Sequence, residues 1–484
     1  MLFNSYIFIL VFLPITLIGY FILNHFHKYN LSQLFLLGMS LWFYAYFNIN
    51  YLFIIILSIL INYLIYYLMK KIKNNWYRKL LLFLGIIINI GVLFYYKYMD
   101  FFISNVNFIF HKDYPLLHII LPLGISFFTF QQLSFVIDSY KKEIPDYSLL
   151  HYASFVTFFP QLIAGHIVTH DELIPQFLNK KLKKINWDNL SRGIYAFALG
   201  LSKKVLIADT FGIVVNYGYS NFESLNSTSA ILVMLSYTIQ IYFDFSGYSD
   251  MALGIGKMFN IDLPQNFNSP YKALTINDFW SRWHMTLTRF FTKYIYIPLG
   301  GNRKGKFKTY RNILIVFLVS GIWHGANWTF IIWGLLHGIF SVITRLFKNF
   351  FDKLNPLVNW IITFTFINIT WIFFRADSIK QALKIINRVL QFNFGIIPEE
   401  IKKAFETPGI VFLKNNVTKL NFFPFMALQL FFIITFFIIL NSKNVKEKMD
   451  NFTPTIKNII ITVILLVWCI ISFNGISTFL YFNF

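Results

Sequence analysis

Apolar runs of about 20 residues recur along the 484-residue chain, separated by short polar or basic stretches. Each run is long enough to cross a hydrocarbon core of ~30 Å. The first three, residues 6–23, 31–47 and 51–69, precede a loop holding Lys70, Lys71, Lys73, Arg78 and Lys79 without an acid. Such a loop reads as cytoplasmic. The run 80–96 then crosses outward and 116–136 returns. No basic side chain precedes the first run and Lys28 follows it, the reverse of a secretory signal. A retained helix with its N-terminus outside the cytoplasm is therefore expected.

The next run, 149–168, has basic stretches on both sides, and its interior carries Phe159-Pro160-Gln161 and Ala164-Gly165-His166. Proline, glycine and polar groups at membrane depth belong where backbone is buried in protein or lines a wet cavity. This predicts a re-entrant segment. Residues 194–215 carry Lys203, Lys204 and Asp209 among apolar neighbours, the pattern of an ion pair inside a helix bundle. After 230–245 crosses inward, residues 251–312 form the longest region of repeated charges, aromatics and turn formers. Arg303, Lys304, Lys306, Lys308 and Arg311, without one acid, place it in the cytoplasm.

Within that region, 278–298 sets Trp280, Trp283, Leu287, Phe290, Phe291 and Tyr294 at helical spacing against Arg282, Arg289 and Lys293. One amphipathic helix lying in the interface is the expectation. The following stretch, 312–344, is at ~33 residues too long for one ordinary span and too short for two. Gly321 and Gly325 flank a histidine there and mark a break or a tight packing point. Runs at 357–374, 422–440 and 459–473 complete an all-α polytopic membrane protein with roughly eleven transmembrane helices, a re-entrant piece and an interfacial one. Residues 1–484 read as one integral-membrane domain, without a linker, a repeat or a separate soluble domain.

Composition agrees: the chain is 57% hydrophobic, 20% aromatic and only 13% charged, which no soluble surface tolerates. The formal net charge of +21 sits in short loops, so it reports topology rather than nucleic-acid binding. Its second consequence is attraction to anionic lipids or substrates. The single cysteine, Cys469, lies in an apolar run, so neither a disulfide framework nor a cysteine metal site is available. No GxSxG elbow, Walker loop or HExxH is present.

Candidate chemistry falls to histidine. His324 stands between two apolar runs, near the middle of the membrane, where a full charge costs roughly 2.5–3.5 kcal/mol and an ionisable group reads as functional. An imidazole stripped of water favours its neutral form, which can act as general base towards a hydroxyl or thiol. For His337, one run later, a hydrogen bond between helices is the better reading. Arg282, Arg289 and Arg303 on the basic face can attract the phosphates of a donor, although positive-inside topology accounts for each of them equally well.

Five ordered stretches then resemble a known family: YFDFSGYSD at 242–250, LPQNFNSPY at 263–271, DFWSRWHMTL at 278–287, YIPLGGNR at 296–303 and GIWHGANW at 321–328. The main motifs thus occupy 242–328. They are similar to those of the membrane-bound O-acyltransferases, especially the bacterial branch that O-acetylates alginate and peptidoglycan. The resemblance implies helices around a thinned central funnel, His324 as the catalytic histidine and His284 as its upstream companion. It also implies a cytoplasmic acyl donor, acetyl-CoA, with no permanently bound cofactor and no metal. Acetyl groups would cross the bacterial inner membrane to a cell-envelope polysaccharide, with an extracytoplasmic O-acetyltransferase as partner. Asn327 or backbone N–H groups near Gly325 are candidate donors to a developing oxyanion. Transfer of D-alanyl groups to teichoic acid, or transport of lipid-linked glycans without chemistry, are the alternatives. One departure stands out: His166 occupies a position where relatives of this branch carry proline.

Overall fold

The computed structural model describes residues 1–162, 165–407, 411, 423–473 and 479–480, and every regular element among them is a helix. Seven of these helices are long and apolar enough to cross a membrane, and a shorter apolar one spans Ile456–Ile471. The roughly eleven spans expected from apolar runs thus resolve into two kinds of element. Tyr29–Ala45 and Ile125–Lys141 are apolar in sequence but only 17 residues long. Conversely, the run at 80–96 lies within a longer stretch, Asn75–Phe110, joined across a π-turn at Phe94–Tyr98. The run at 116–136 is not one helix: residues 112–122 are non-helical, and the helix begins only after Gly124 in the left-handed region. Asp100 holds that segment by accepting the backbone N–H groups of Leu117 (2.7 Å) and Ile119 (3.3 Å).

The chain divides into two compact units. The first comprises residues 1–197, 249–265 and 452–458, and the second 198–248, 266–451 and 459–484.

In the first unit, helices Asn50–Lys71, Asn75–Leu93, Ile125–Lys141 and Leu149–Thr157 are joined by buried amides. Asn62 Nδ2 donates to Gln132 Oε1 (2.5 Å), and Asn89 Nδ2 donates to Asn62 Oδ1 (2.6 Å). Tyr152 donates its hydroxyl to the same Gln132 oxygen at 3.3 Å. The segment expected to be re-entrant forms two short helices, Leu149–Thr157 and Phe159–Leu162, broken at Phe158. At 1.5 Å per residue neither approaches the length of a span. His166 is fully buried, and Gly165 before it has φ 119°. Ala164 lies outside the described residues.

In the second unit, the helical stretch that ends at Ser220 is interrupted by a π-turn, Lys203–Ala208. The expected ion pair is there: Lys204 Nζ lies 2.9 Å from Asp209. A second carboxylate, Asp244, lies closer at 2.6 Å. A buried ammonium between two carboxylates is the arrangement that desolvation demands.

The histidine-bearing stretch makes two 19-residue helices, Lys306–His324 and Trp328–Leu346, instead of the one-and-a-half read from its apolar length. The first recruits Lys306, Lys308 and Arg311 into its opening turns, so charge pattern had hidden its start. Gly321 and Gly334 are the crossing point of this hairpin: a Cβ on Gly321 would overlap the Phe330 carbonyl oxygen, and one on Gly334 that of Phe317. The amphipathic helix expected over 278–298 is corrected by the structure. It is two short helices, Ile276–Arg282 and Met285–Phe291, with a π-turn at Thr292–Tyr296. His284 between them adopts φ 47°, ψ 52°, which ends one helix and starts the next.

Candidate functional site

His324 is the last residue of its helix; Gly325 after it is extended, at φ −167° and ψ 156°. The side chain is 2% exposed. Three rings enclose it edge-on: Trp323 at 4.9 Å, Trp333 at 5.0 Å and Phe374 at 5.1 Å between centroids. Phe374 comes from Pro356–Arg375, so three helices build the enclosure. Gly325 is needed because a Cβ there would run into the Phe330 ring, which in turn packs 4.9 Å from Phe374. Glycine thus leaves room for the Phe330 ring at the point where the helix ends.

His284 is completely buried, 4.8 Å from Phe245 and 6.1 Å from Trp323 between ring centroids. The two histidines therefore share Trp323 as a ring neighbour, and the structure brings them to one locality from positions 40 apart in sequence. Asn266 sets the orientation of His284. Its Oδ1 accepts the Thr286 backbone N–H (3.3 Å) and the Thr286 hydroxyl (3.0 Å), and lies 3.1 Å from His284 Nδ1. An atom that already accepts a backbone N–H is the amide oxygen, so Nδ1 of His284 must carry the proton it donates. The neutral ring then bears its lone pair on Nε2. Backbone bonds from Met285 to Asn266 and from Asn268 to Arg282 fix the segment 266–268 beside this turn.

His337 receives the indole N–H of Trp280 on Nδ1 at 3.2 Å, the interhelical hydrogen bond expected of it. Trp280, on the short helix Ile276–Arg282, and Trp283, which directly follows it, face different partners. Trp280 packs on Trp333, and Trp283 stacks among Phe279, Tyr271 and Trp371. Tyr271 is a hub: its hydroxyl donates to Thr238 O (2.7 Å) and receives Trp371 Nε1 (3.2 Å). Asp244, in the first motif, receives both Lys204 and the backbone N–H of Leu480 (2.9 Å), tying the C-terminal stretch to that motif. Residues 481–484 lie outside the described residues.

The other expected site residues sit differently. Arg282 Nε donates to Asp278 at 2.7 Å, so its charge is already paired within its helix. Arg289 and Arg303 are exposed. Asn327 is a helix cap: its Oδ1 accepts Thr329 N–H (3.1 Å), and its Nδ2 donates to the Asp377 carbonyl (2.9 Å). The residues that sequence reasoning passed over are Asn266, Trp333, Phe374 and Asp244. Asn266 and Asp244 lie inside motifs that had been noticed, but only contacts give them a role. Trp333 falls nine residues after His324, on the neighbouring helix of the hairpin.

A model of the membrane-bound O-acyltransferase family matches residues 9–378, which include both histidines and their surroundings. The chain belongs to the membrane-bound O-acyltransferase family. It is 42% identical over 519 aligned positions to a peptidoglycan O-acetyltransferase of Helicobacter pylori, covering 100% of this chain and 98% of the relative. A probable alginate O-acetylase of Pseudomonas aeruginosa is 38% identical over 82% of this chain and 75% of its own length. A teichoic acid D-alanyltransferase of Bacillus subtilis is 30% identical over 51% of this chain and 64% of its own. This acyltransferase is a multi-pass membrane enzyme, and the similarity to the acetyl-transferring relatives runs through regions that the D-alanyl relative does not match.

Proposed function

We propose that the chain takes acetyl groups from a cytoplasmic thioester, acetyl-CoA, and passes them across the bacterial inner membrane for O-acetylation of peptidoglycan or a related envelope polysaccharide. The reading is carried by one observation. A chain aligned end to end with a peptidoglycan O-acetyltransferase seals His324 in an aromatic box at the point where a helix stops.

In the proposed reaction the neutral His324 ring accepts the proton of an acceptor hydroxyl. The hydroxyl oxygen then attacks the thioester carbonyl carbon. Collapse of the tetrahedral intermediate forms the ester and breaks the carbon–sulfur bond, and His324 returns the proton to the departing thiolate. The aromatic walls exclude water, which suppresses hydrolysis of the thioester and strengthens the field of any donor facing the oxyanion. His284, held in one tautomer by Asn266, positions the neighbouring wall through Trp323. An extracytoplasmic transferase then completes delivery to the glycan, and the D-alanyl alternative has only half-length similarity behind it.

The test is to incubate membranes containing the chain with acetyl-labelled acetyl-CoA and peptidoglycan, with and without a co-expressed extracytoplasmic transferase. Label is expected in base-labile esters on the glycan when both proteins are present. Label that never leaves the thioester, while a D-alanyl-loaded carrier does donate, would replace acetyl transfer with the alternative.

A further inference from the structure

The proposed acyl transfer needs a hydrogen-bond donor for the carbonyl oxygen as it gains charge. Asn327, expected in that role, is spent as a helix cap. Three indoles that pack together beside His324 offer another. Trp280 and Trp371 lie 5.7 Å and 6.0 Å from Trp333 between ring centroids, the second stacked on it. Each of these two has an acceptor for its N–H. Trp280 donates to His337 Nδ1 at 3.2 Å, and Trp371 to the Tyr271 hydroxyl at 3.2 Å. Trp333 is the exception. Its side chain is fully buried, and its Nε1–H meets no acceptor among the described residues.

A buried indole N–H ordinarily finds a partner, because leaving it unpaired forfeits its hydration without return. The neighbours explain why this one does not. Phe374, 5.1 Å away, has no lone pair to offer, and the stacked Trp371 is a donor only. His337 is closer, at 4.8 Å, and stands four residues on, along the same face of helix Trp328–Leu346. Yet its lone pair is committed. An indole only donates, so the ring nitrogen that receives Trp280 carries no hydrogen, and the neutral imidazole holds its hydrogen on Nε2. Nε2 therefore cannot accept from Trp333. The bond between Trp280 and His337 thus leaves the Trp333 N–H unclaimed.

The ring that carries this N–H is also a wall of the His324 box. The two rings are in contact, with centroids 5.0 Å apart and planes nearly perpendicular at 88°. A carbonyl attacked by a hydroxyl that is hydrogen-bonded to His324 comes up against the same wall. We propose that Trp333 is a catalytic residue of this transfer: its indole N–H donates a hydrogen bond to the thioester carbonyl oxygen and holds it as it becomes an oxyanion. The inference rests on the acyl-transfer reading. No proton leaves Trp333. As the acceptor oxygen bonds to the carbonyl carbon, the electron pair of the C=O bond shifts onto oxygen, where the N–H meets it. Collapse returns that pair to the C=O bond and breaks the carbon–sulfur bond, and the departing thiolate takes the proton held by His324. A donor locked by packing needs no reorganisation when the charge develops.

Replacing Trp333 by 3-benzothienylalanine, which has sulfur where indole has N–H and nearly the same outline, tests this in the full chain. Turnover with acetyl-CoA is measured in membranes supplied with peptidoglycan and the extracytoplasmic transferase. A fall of about 10²-fold in kcat is expected, with KM for acetyl-CoA held within a few-fold. Thermal stability is expected to stay unchanged, because no hydrogen bond within the protein is lost. The same replacement at Trp187, which is 72% exposed, is expected to change neither. Acetyl-dithio-CoA adds a readout that a structural role would not move, since its C=S sulfur is a poor acceptor. The preference for the oxygen thioester over the dithioester is expected to shrink at least about tenfold in the Trp333 variant. Trp333→Phe, compared at equal amounts of folded protein, serves if the analogue is not incorporated, and the same loss of kcat is expected. Wild-type kcat in the sulfur variant overturns the proposal. So does a loss of stability with an unchanged preference between the two thioesters. No transfer at all by the wild type would overturn the acyl-transfer reading, and this inference with it.

Discussion

Two groups of buried polar side chains, one in each unit, have different surroundings. In the first, Asn62, Asn89, Gln132 and Tyr152 are hydrogen-bonded across four helices, amide to amide and hydroxyl to amide. In the second, His324 is ringed by Trp323, Trp333 and Phe374, and His284 by Phe245 and Trp323, with the single amide of Asn266 fixing one imidazole. A polar network of this kind spends hydrogen-bonding capacity on holding helices together. Aromatic walls leave an imidazole's chemistry available while keeping water away. Burial alone therefore does not distinguish structural from reactive polar groups, and aromatic neighbours do so only together with the hydrogen bonds made: His337, which accepts the Trp280 indole N–H, also lies 4.8 Å from Trp333 and 5.1 Å from Phe366.

The comparison breaks most visibly at His324. Replacing it by alanine removes the general base, and transfer is expected to fall by about 10²–10⁴ while the amount of membrane-inserted protein stays unchanged. Asn266→Ala removes the acceptor of His284 Nδ1 and of two Thr286 groups. A fall of roughly tenfold in kcat is expected, with a weaker effect on KM, because ring orientation and not donor binding is lost. Asn266→Asp, which keeps the acceptor oxygen, is expected to recover part of the loss.

Gln132→Leu attacks the other unit. It should lower thermal stability by about 1–2 kcal/mol, the range for interhelical polar contacts in membranes, with kcat of the folded fraction retained. Equal loss of kcat would erase the distinction between the two units. The smallest effect is expected at Asn327. As a helix cap its replacement by alanine costs about 1 kcal/mol of stability and leaves turnover within a few-fold. A fall of 10²–10³ would instead restore it as an oxyanion donor.

Much of this was legible in the chain. Apolar runs reveal a membrane protein, and the interruption of 149–168 by Pro160 and Gly165 announces broken helices. His324 is conspicuous because a polar ring between two long apolar runs has no local reason to be there. What could not be read depends on contacts distant in sequence or on short-range backbone turns. The amphipathic spacing of 278–298 is continuous through His284, yet the left-handed backbone at that residue splits the helix, held by Asn266 from 18 positions away. Lys204 pointed to Asp209, five residues off, but not to Asp244, which reaches it only through packing of a second helix. Asn327 looked like a donor from its place beside His324, whereas hydrogen bonds to Thr329 and Asp377 employ it as a cap.

The central claim is that the aromatic-walled histidine carries the chemistry and the amide network carries the fold. Its most direct test is the rate of acetyl transfer from labelled acetyl-CoA to glycan, compared between His324→Ala and Gln132→Leu at equal amounts of folded protein. Loss of at least about 10²-fold is expected in the first and a rate near wild type in the second. Near wild-type transfer by His324→Ala would contradict it.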